Sequence, residues 1–211
     1  TLANACDGTP TTFTYTVNPT PVYADQSETI CSGGTVAVTP SGSIVPTGTE
    51  FTWTHVDNAN ITGEANNATA ANSFTATLTN TSNTQQSVVY TITPATLLCP
   101  GATFDLTVNV DPTPFVTTQT SEICSGDAFT VTPTNGSGNI VPAGTTYTWS
   151  APTVTGITGT TSGTSASNVS GTLVNTTNAP IDVTYTVIPT IVSSGCTGTA
   201  FDVTVTVNPT P

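Results

Sequence analysis

The stretch CPGATFDLTVNVDPTP, Cys99 to Pro114, decides how this chain is read. Its centre alternates. Leu106, Val108 and Val110 point to one side, and Asp105, Thr107 and Asn109 to the other. Period two with one apolar face describes a half-buried antiparallel strand. The run then stops on Pro112 and Pro114. Proline cannot donate to a strand ladder and fixes its own φ, so two of them one residue apart end the strand. The same stretch returns as CTGTAFDVTVTVNPTP, Cys196 to Pro211, at an offset of 196 − 99 = 97, with Val203, Val205 and Val207 in the apolar phase. A shorter echo, VNPTP, stands at Val17 to Pro21.

Working outward, the chain matches itself almost throughout. ICSG occurs at Ile30–Gly33 and Ile123–Gly126, an offset of 124 − 31 = 93. IVPTGTEFTW (Ile44–Trp53) returns as IVPAGTTYTW (Ile140–Trp149), TLTNTSN (Thr77–Asn83) as TLVNTTN (Thr172–Asn178), and VVYTITP (Val88–Pro94) as VTYTVIP (Val183–Pro189). Small loop insertions account for the drift in offset. Residues 1–21 read as the last strand of a truncated upstream copy, since Cys6 precedes Pro19 as Cys99 precedes Pro112. Residues 22–114 and 115–211 then form two full repeats, and the whole reads as a piece of a longer array.

Each repeat reads as seven short strands between turn residues. In the first they fall near Tyr23–Ile30, Thr35–Thr39, Glu50–His55, Asn60–Gly63, Ser73–Thr79, Ser87–Thr93 and Thr103–Val110. The spacing predicts an all-β fold: tandem immunoglobulin-like antiparallel β-sandwiches of about seven strands each. Trp53 and Trp149 are expected to fill the two cores, with Tyr90 and Tyr185 on the sixth strands. Pro19, Pro21, Pro112, Pro114, Pro209 and Pro211 form the linkers, biased toward extended polyproline II. The repeats would follow one another at about 40 Å, given strands of about 3.4 Å per residue plus turns.

The chain has no Lys or Arg, twelve acidic residues and one His, for a net charge of −12. Nucleic acid is excluded as a partner, because nothing can neutralise phosphates. Attraction to an anionic membrane surface fails for the same reason, and no apolar run is long enough to insert as a spanning helix. Trypsin-like proteases find no site. Thr supplies about a quarter of the residues, a strand-favouring composition.

The five cysteines are Cys6, Cys31, Cys99, Cys124 and Cys196. Two per full repeat, without a Cys-x-x-Cys motif, predict disulfides in an oxidising compartment. Cys6 is left unpaired. Pairing within each repeat, Cys31–Cys99 and Cys124–Cys196, is the simpler expectation, because each unit then folds alone. Strand topology offers Cys31–Cys196 as the alternative, unless the segment before Cys31 is linker rather than a full first strand, and the pairing within each repeat remains the favoured one. If Cys31 precedes the second strand and Cys99 the seventh, a sandwich puts them at opposite ends.

Catalysis needs a poised acid, base or nucleophile. His55 is the one histidine, and Ala151 replaces it in the second repeat. No catalytic residue, cofactor or metal site is expected. Calcium at the joints would use Asp25, Glu28, Asp111 and Glu122, but Asn18 and Asn208 replace Asp111 in the other copies. Asp105 and Asp202 match between repeats and point outward, toward solvent or as edge protection.

Taken together, ICSGGTVAVTP, IVPTGTEFTW, TLTNTSN, VVYTITP and CPGATFDLTVNVDPTP resemble the PKD-like repeats of flavobacterial (Bacteroidetes) SprB-type gliding-motility adhesins. The resemblance covers nearly the whole chain. FTWTHV and YTWSAP depart from the Trp-Asp-Phe-Gly-Asp-Gly run usual in PKD domains. It implies a long, filamentous, type 9-secreted adhesin on the cell surface. In that reading the repeats are structural spacers. Their partners are neighbouring repeats and, through the parent adhesin, an external surface or polysaccharide. The rival expectation is a ligand-binding module gripping a glycan or surface. It predicts clustered exposed aromatics in one repeat only.

Overall fold

The computed structural model describes residues 9–210, so Cys6 and Pro211 lie outside it. The alternating stretch forms the strand Phe104–Asp111, buried at Phe104, Leu106, Val108 and Val110. It lies inside a five-stranded sheet of order Gln26–Cys31, Phe104–Asp111, Gln86–Ala95, Glu50–His55, Asn67–Ala71. Its partner Gln86–Ala95 is antiparallel, whereas Gln26–Cys31 runs parallel to it and sets Cys31 beside Asp111. The second repeat has the same order: Gln119–Cys124, Phe201–Asn208, Ile181–Ile191, Thr145–Trp149, Gly163–Ala166. Cys124 there stands beside Asn208.

Short strand pairs supply the opposite wall of each sandwich. Thr35–Val38 pairs with Phe74–Thr77, and Ile61–Thr62 with Thr79–Asn80. Val36, Ile61, Phe74 and Leu78 from these segments share one core with Trp53, Tyr90, Leu106 and Val108 of the large sheet. The Phe74 ring lies 4.5 Å from that of Tyr90 and 5.0 Å from that of Trp53. Val131, Phe129, Val169 and Leu173 enclose Trp149 and Tyr185 in the same way. Each tryptophan keeps its one donor satisfied, Trp53 Nε1–H by the Ala65 carbonyl at 3.1 Å and Trp149 Nε1–H by Thr161 at 2.9 Å. A buried indole needs that partner.

The fold is the expected all-β sandwich in two copies, with three corrections. The seven-strand reading missed the edge strands Asn67–Ala71 and Gly163–Ala166. NATAA and GTSA are small and polar and pack little, so they carry no apolar alternation. The last strand is not an edge, because the parallel first strand covers it. Asp105 and Asp202 instead accept cross-strand bonds from the hydroxyls of Thr91 and Thr186, both at 3.0 Å. Residues 9–21 form no strand, and Phe13, Tyr15 and Val17 are 77%, 88% and 89% exposed. Their counterparts Leu106, Val108 and Val110 are buried between two strand neighbours, and residues 9–21 have none.

Candidate functional site at the joint between repeats

The last strand of the first repeat delivers Asp111, Pro112, Thr113 and Pro114 to the start of the second. Pro112 and Pro114 are both buried. Two segments hold them. From the first repeat, Ser32 N–H donates to the Asp111 carbonyl at 2.8 Å, and Thr113 Oγ1–H donates to the Ser32 carbonyl at 3.1 Å. From the second comes the turn Cys196-Thr197-Gly198, anchored by Gly198 N–H to the Pro189 carbonyl at 2.9 Å. A Cβ at Gly198 would collide with the Pro114 carbonyl oxygen, so only glycine lets the linker pass this close.

One disulfide closes this joint. Cys31, at the end of Gln26–Cys31, is bonded to Cys196 of the second repeat, with Cα atoms 5.6 Å apart. Cys196 is fully buried there. This corrects the expected Cys31–Cys99 and Cys124–Cys196 pairing. The parallel first strand carries Cys31 to the far end of the last strand, whereas Cys99 precedes that strand's beginning at Phe104. An eight-residue strand separates the two ends by about 24 Å, and a disulfide cannot bridge Cα atoms more than about 7 Å apart. Cys124 and Cys196 are separated in the same way. Cys99 and Cys124 are free thiols in this chain, half-buried and exposed respectively.

A polar lock that the sequence reading passed over holds the ICSG turn in place. Asn80 is buried. Its amide donates to the carbonyls of Val110 at 2.8 Å and Thr84 at 2.7 Å, and its Oδ1 accepts from Ser82 N–H and Oγ–H. Its backbone N–H donates to Ser32 Oγ at 2.9 Å, and Ser32 Oγ–H returns a bond to the Asn80 carbonyl at 3.1 Å. Asn175 repeats this with Val207, Ala179, Thr177 and Ser125. Each lock ties the residue after a cysteine to the strand end before a linker. The signal was the doubled TLTNTSN and TLVNTTN, in which this Asn is the one polar residue buried in both copies, beside Leu78 and Leu173.

The carboxylates proposed for calcium do not converge. Asp25 Oδ1 accepts from Asp105 N–H, Asp111 Oδ1 from Gln85, Glu122 Oε1 from Asn208, and Glu28 is exposed. Among the described residues His55, Asp57 and Glu64 lie close enough to share an ion. Both nitrogens of His55 are already engaged, by Asn66 Oδ1 and Asp57 Oδ1 at 2.9 Å each. Among the described residues no helix is long and apolar enough to cross a membrane.

Two sandwiches in tandem, joined by a buried linker, make this an extracellular-type repeat protein, since a disulfide belongs to an oxidising compartment. The profile of the PKD-like domain matches residues 28–114 and 121–211, and the chain belongs to that family. No curated protein matches the sequence. Among solved structures the chain is similar to the titin I-band fragment I67–I69, at 9% identity and a TM-score of 0.37, covering 90% of this chain and 66% of that one. It is also similar to mouse cadherin-23 EC22–24, at 13% identity and 0.31, covering 90% and 65%. A third is the insect immune protein hemolin, at 12% identity and 0.37, covering 90% and 50%. The chain thus spans from half to two thirds of the length of these structures.

Proposed function

We propose that this chain is a load-bearing spacer of a long, filamentous cell-surface adhesin, serving surface attachment and gliding. The disulfide across the joint carries the reading. Force entering before Cys31 passes through the bond to Cys196 and leaves by the last strand. The intervening chain, a sequence separation of 165, lies off the load path, and with it most of both cores. A binding module has no need to bypass its own domains. Nor do exposed aromatics cluster on one repeat: Phe13 and Tyr15 belong to the upstream segment, and Phe115 lies at the joint.

Single-molecule pulling from the two ends tests this. Oxidised chain should extend less than reduced chain by roughly 590 Å at full stretch, since an extended residue spans at most about 3.6 Å. Equal extension in both states would sink the mechanical reading. Saturable binding of the isolated chain to a defined polysaccharide, abolished by one surface substitution, would favour a ligand-binding module instead. Residence at the cell surface, secretion by the type 9 route and movement along the cell belong to the parent adhesin in this proposal.

A further inference from the structure

Cys99 and Cys124 are the two free thiols among the described residues, and each occupies a position that is bonded in the other repeat. Cys124 stands beside Asn208 as Cys31 stands beside Asp111, in the same parallel register. Ser125 N–H donates to the Asn208 carbonyl at 2.8 Å, as Ser32 N–H does to Asp111. The Asn175–Ser125 lock holds this turn as Asn80–Ser32 holds the other. Cys124 therefore presents its sulfur as Cys31 does, into an open groove formed with Glu122, Asp127 and Asn208.

Cys99 is prepared on the complementary side. It opens the turn Cys99-Pro100-Gly101, the counterpart of Cys196-Thr197-Gly198. Gly101 N–H donates to the Pro94 carbonyl at 2.8 Å, and a Cβ there would collide with the Pro21 carbonyl, as at Gly198 and Pro114. Asn18, the counterpart of Asp111, already lies against the thiol, with its carbonyl 3.9 Å from Sγ. Beside it Leu97 and Leu98 are 98% and 72% exposed and line a pocket with Asn18, Pro19 and Pro46. The matching cleft at the closed joint is lined by Pro112, Pro142 and Ser194, and the Asn83–Gln85 turn of the preceding repeat closes it.

We infer that Cys124 and Cys99 are halves of two further inter-repeat disulfides, so that every joint of the array is stapled from an ICSG cysteine to the Cys-x-Gly turn of the next repeat. The partner at each end is another PKD-like repeat. Cys124 takes a Cys-x-Gly cysteine from a following repeat, and Cys99 an ICSG cysteine from a preceding one. Formation is thiol–disulfide exchange. Two thiols lose two protons and two electrons, and one low-molecular-weight disulfide, such as oxidised glutathione, is reduced to two thiols. In the completed ladder tension runs through disulfides and short segments of one kind, such as Cys99 to Cys124, a separation of 124 − 99 = 25. The inference rests on the array reading only for the existence of flanking repeats.

A tandem duplicate tests it: residues 1–211 followed directly by 22–211. Residues 17–21 and 207–211 are both VNPTP, so the new junction reproduces a native one. The duplicate is refolded in a glutathione redox buffer, isolated as monomer and mapped without reduction, using pepsin. The expected result is Cys31–Cys196 in both halves and a Cys124–Cys99 peptide that the single chain lacks. Cys124→Ser in the first half should remove that peptide and leave both Cys31–Cys196 bonds. Formation of both Cys31–Cys196 bonds without Cys124–Cys99 overturns the ladder. So does failure of Cys31–Cys196, because the bonded joint is the template. The first failure leaves the Cys31–Cys196 load path intact and overturns the ladder alone, whereas the second takes the mechanical reading with it, so the two outcomes are told apart by the peptide map.

Discussion

The joint around Cys31 and Cys196 and the joint around Asn18 and Cys99 are built from the same parts in different states. At both, the second linker proline is buried, Pro114 in one and Pro21 in the other. At both, a glycine of the Cys-x-Gly turn admits the proline carbonyl. The first prolines differ. Pro112 is buried, whereas Pro19 is exposed and faces the pocket beside Leu97 and Leu98. Each joint thus has two halves. The following repeat docks the end of the linker by itself, through its own turn. Burying the start of the linker takes a preceding repeat, whose first strand also brings the ICSG cysteine. The staple joins these halves and does not create them.

Breaking the staple should separate the joints most sharply. Cys31→Ser or Cys196→Ser frees a closure whose loop spans 165 residues and should cost about 2–5 kcal/mol, the range for loss of a native disulfide. Cys99→Ser and Cys124→Ser remove thiols with no partner in this chain and should stay within about 0.5 kcal/mol. Denaturant titration of the four variants reads the difference. Equal costs would mean that the bond is not the working difference between the joints.

That contrast was only half visible in the sequence. Period two exposes the faces of Phe104–Asp111 and Phe201–Asn208, and repeat matching finds the units, because both follow from residue type and spacing alone. Trp53, Trp149, Tyr90 and Tyr185 were placed in the cores on the same basis, and all four are buried. The cysteine pairing needed something that periodicity does not contain: the direction of the neighbouring strand. Gln26–Cys31 looks the same parallel or antiparallel, and only the parallel choice sends Cys31 to the linker end. Asn80 and Asn175 were hidden differently. They sit among Thr and Ser, where Asn ordinarily marks an exposed turn, and only the fold shows that Val110 and Val207 pass over them.

Those asparagines sharpen the comparison next. Asn80→Ala and Asn175→Ala each leave buried carbonyls and an Ser or Thr group without a partner, at about 2–3 kcal/mol. Ser32→Ala, which removes the hydroxyl bonded to the Asn80 backbone, should slow re-formation of Cys31–Cys196 after reduction, since the turn after Cys31 is then untethered. Ser125→Ala should leave that rate unchanged, because its hydroxyl ties the turn of free Cys124 to the Asn175 backbone. Equal rates would show that the lock acts on stability alone. Gly198→Ala and Gly101→Ala probe the linker contact at about 1–3 kcal/mol each, the range for forced overpacking. At Gly198 the obstruction is backbone fixed on both sides, whereas Pro21 is joined to a segment without strand partners. Gly198→Ala should therefore be the worse of the two in thermal unfolding, and the reverse order would place the rigidity at the open joint.

The smallest effect concerns two tyrosines that match between the repeats. The hydroxyls of Tyr90 and Tyr185 are buried without a hydrogen-bond partner. Replacing each by Phe removes a desolvated polar group and keeps the ring, so each variant should gain about 1 kcal/mol. Burial raises the Tyr90 phenol from 10.0 to about 12, helped by the Glu64 carboxylate, and burial alone raises Tyr185. The folded state therefore keeps its phenolic protons where the unfolded chain has lost them. The linkage penalty is absent below pH 10.0 and grows as pH rises toward about 12, so stability falls through that window. Tyr90→Phe, with free thiols blocked, should flatten the decline in the first repeat more than Tyr185→Phe does in the second. Glu64 has Thr160 as its counterpart, so only the first repeat sets a carboxylate against its tyrosine. Equal slopes would mean that burial, common to both repeats, governs the alkaline limit and that Glu64 adds nothing.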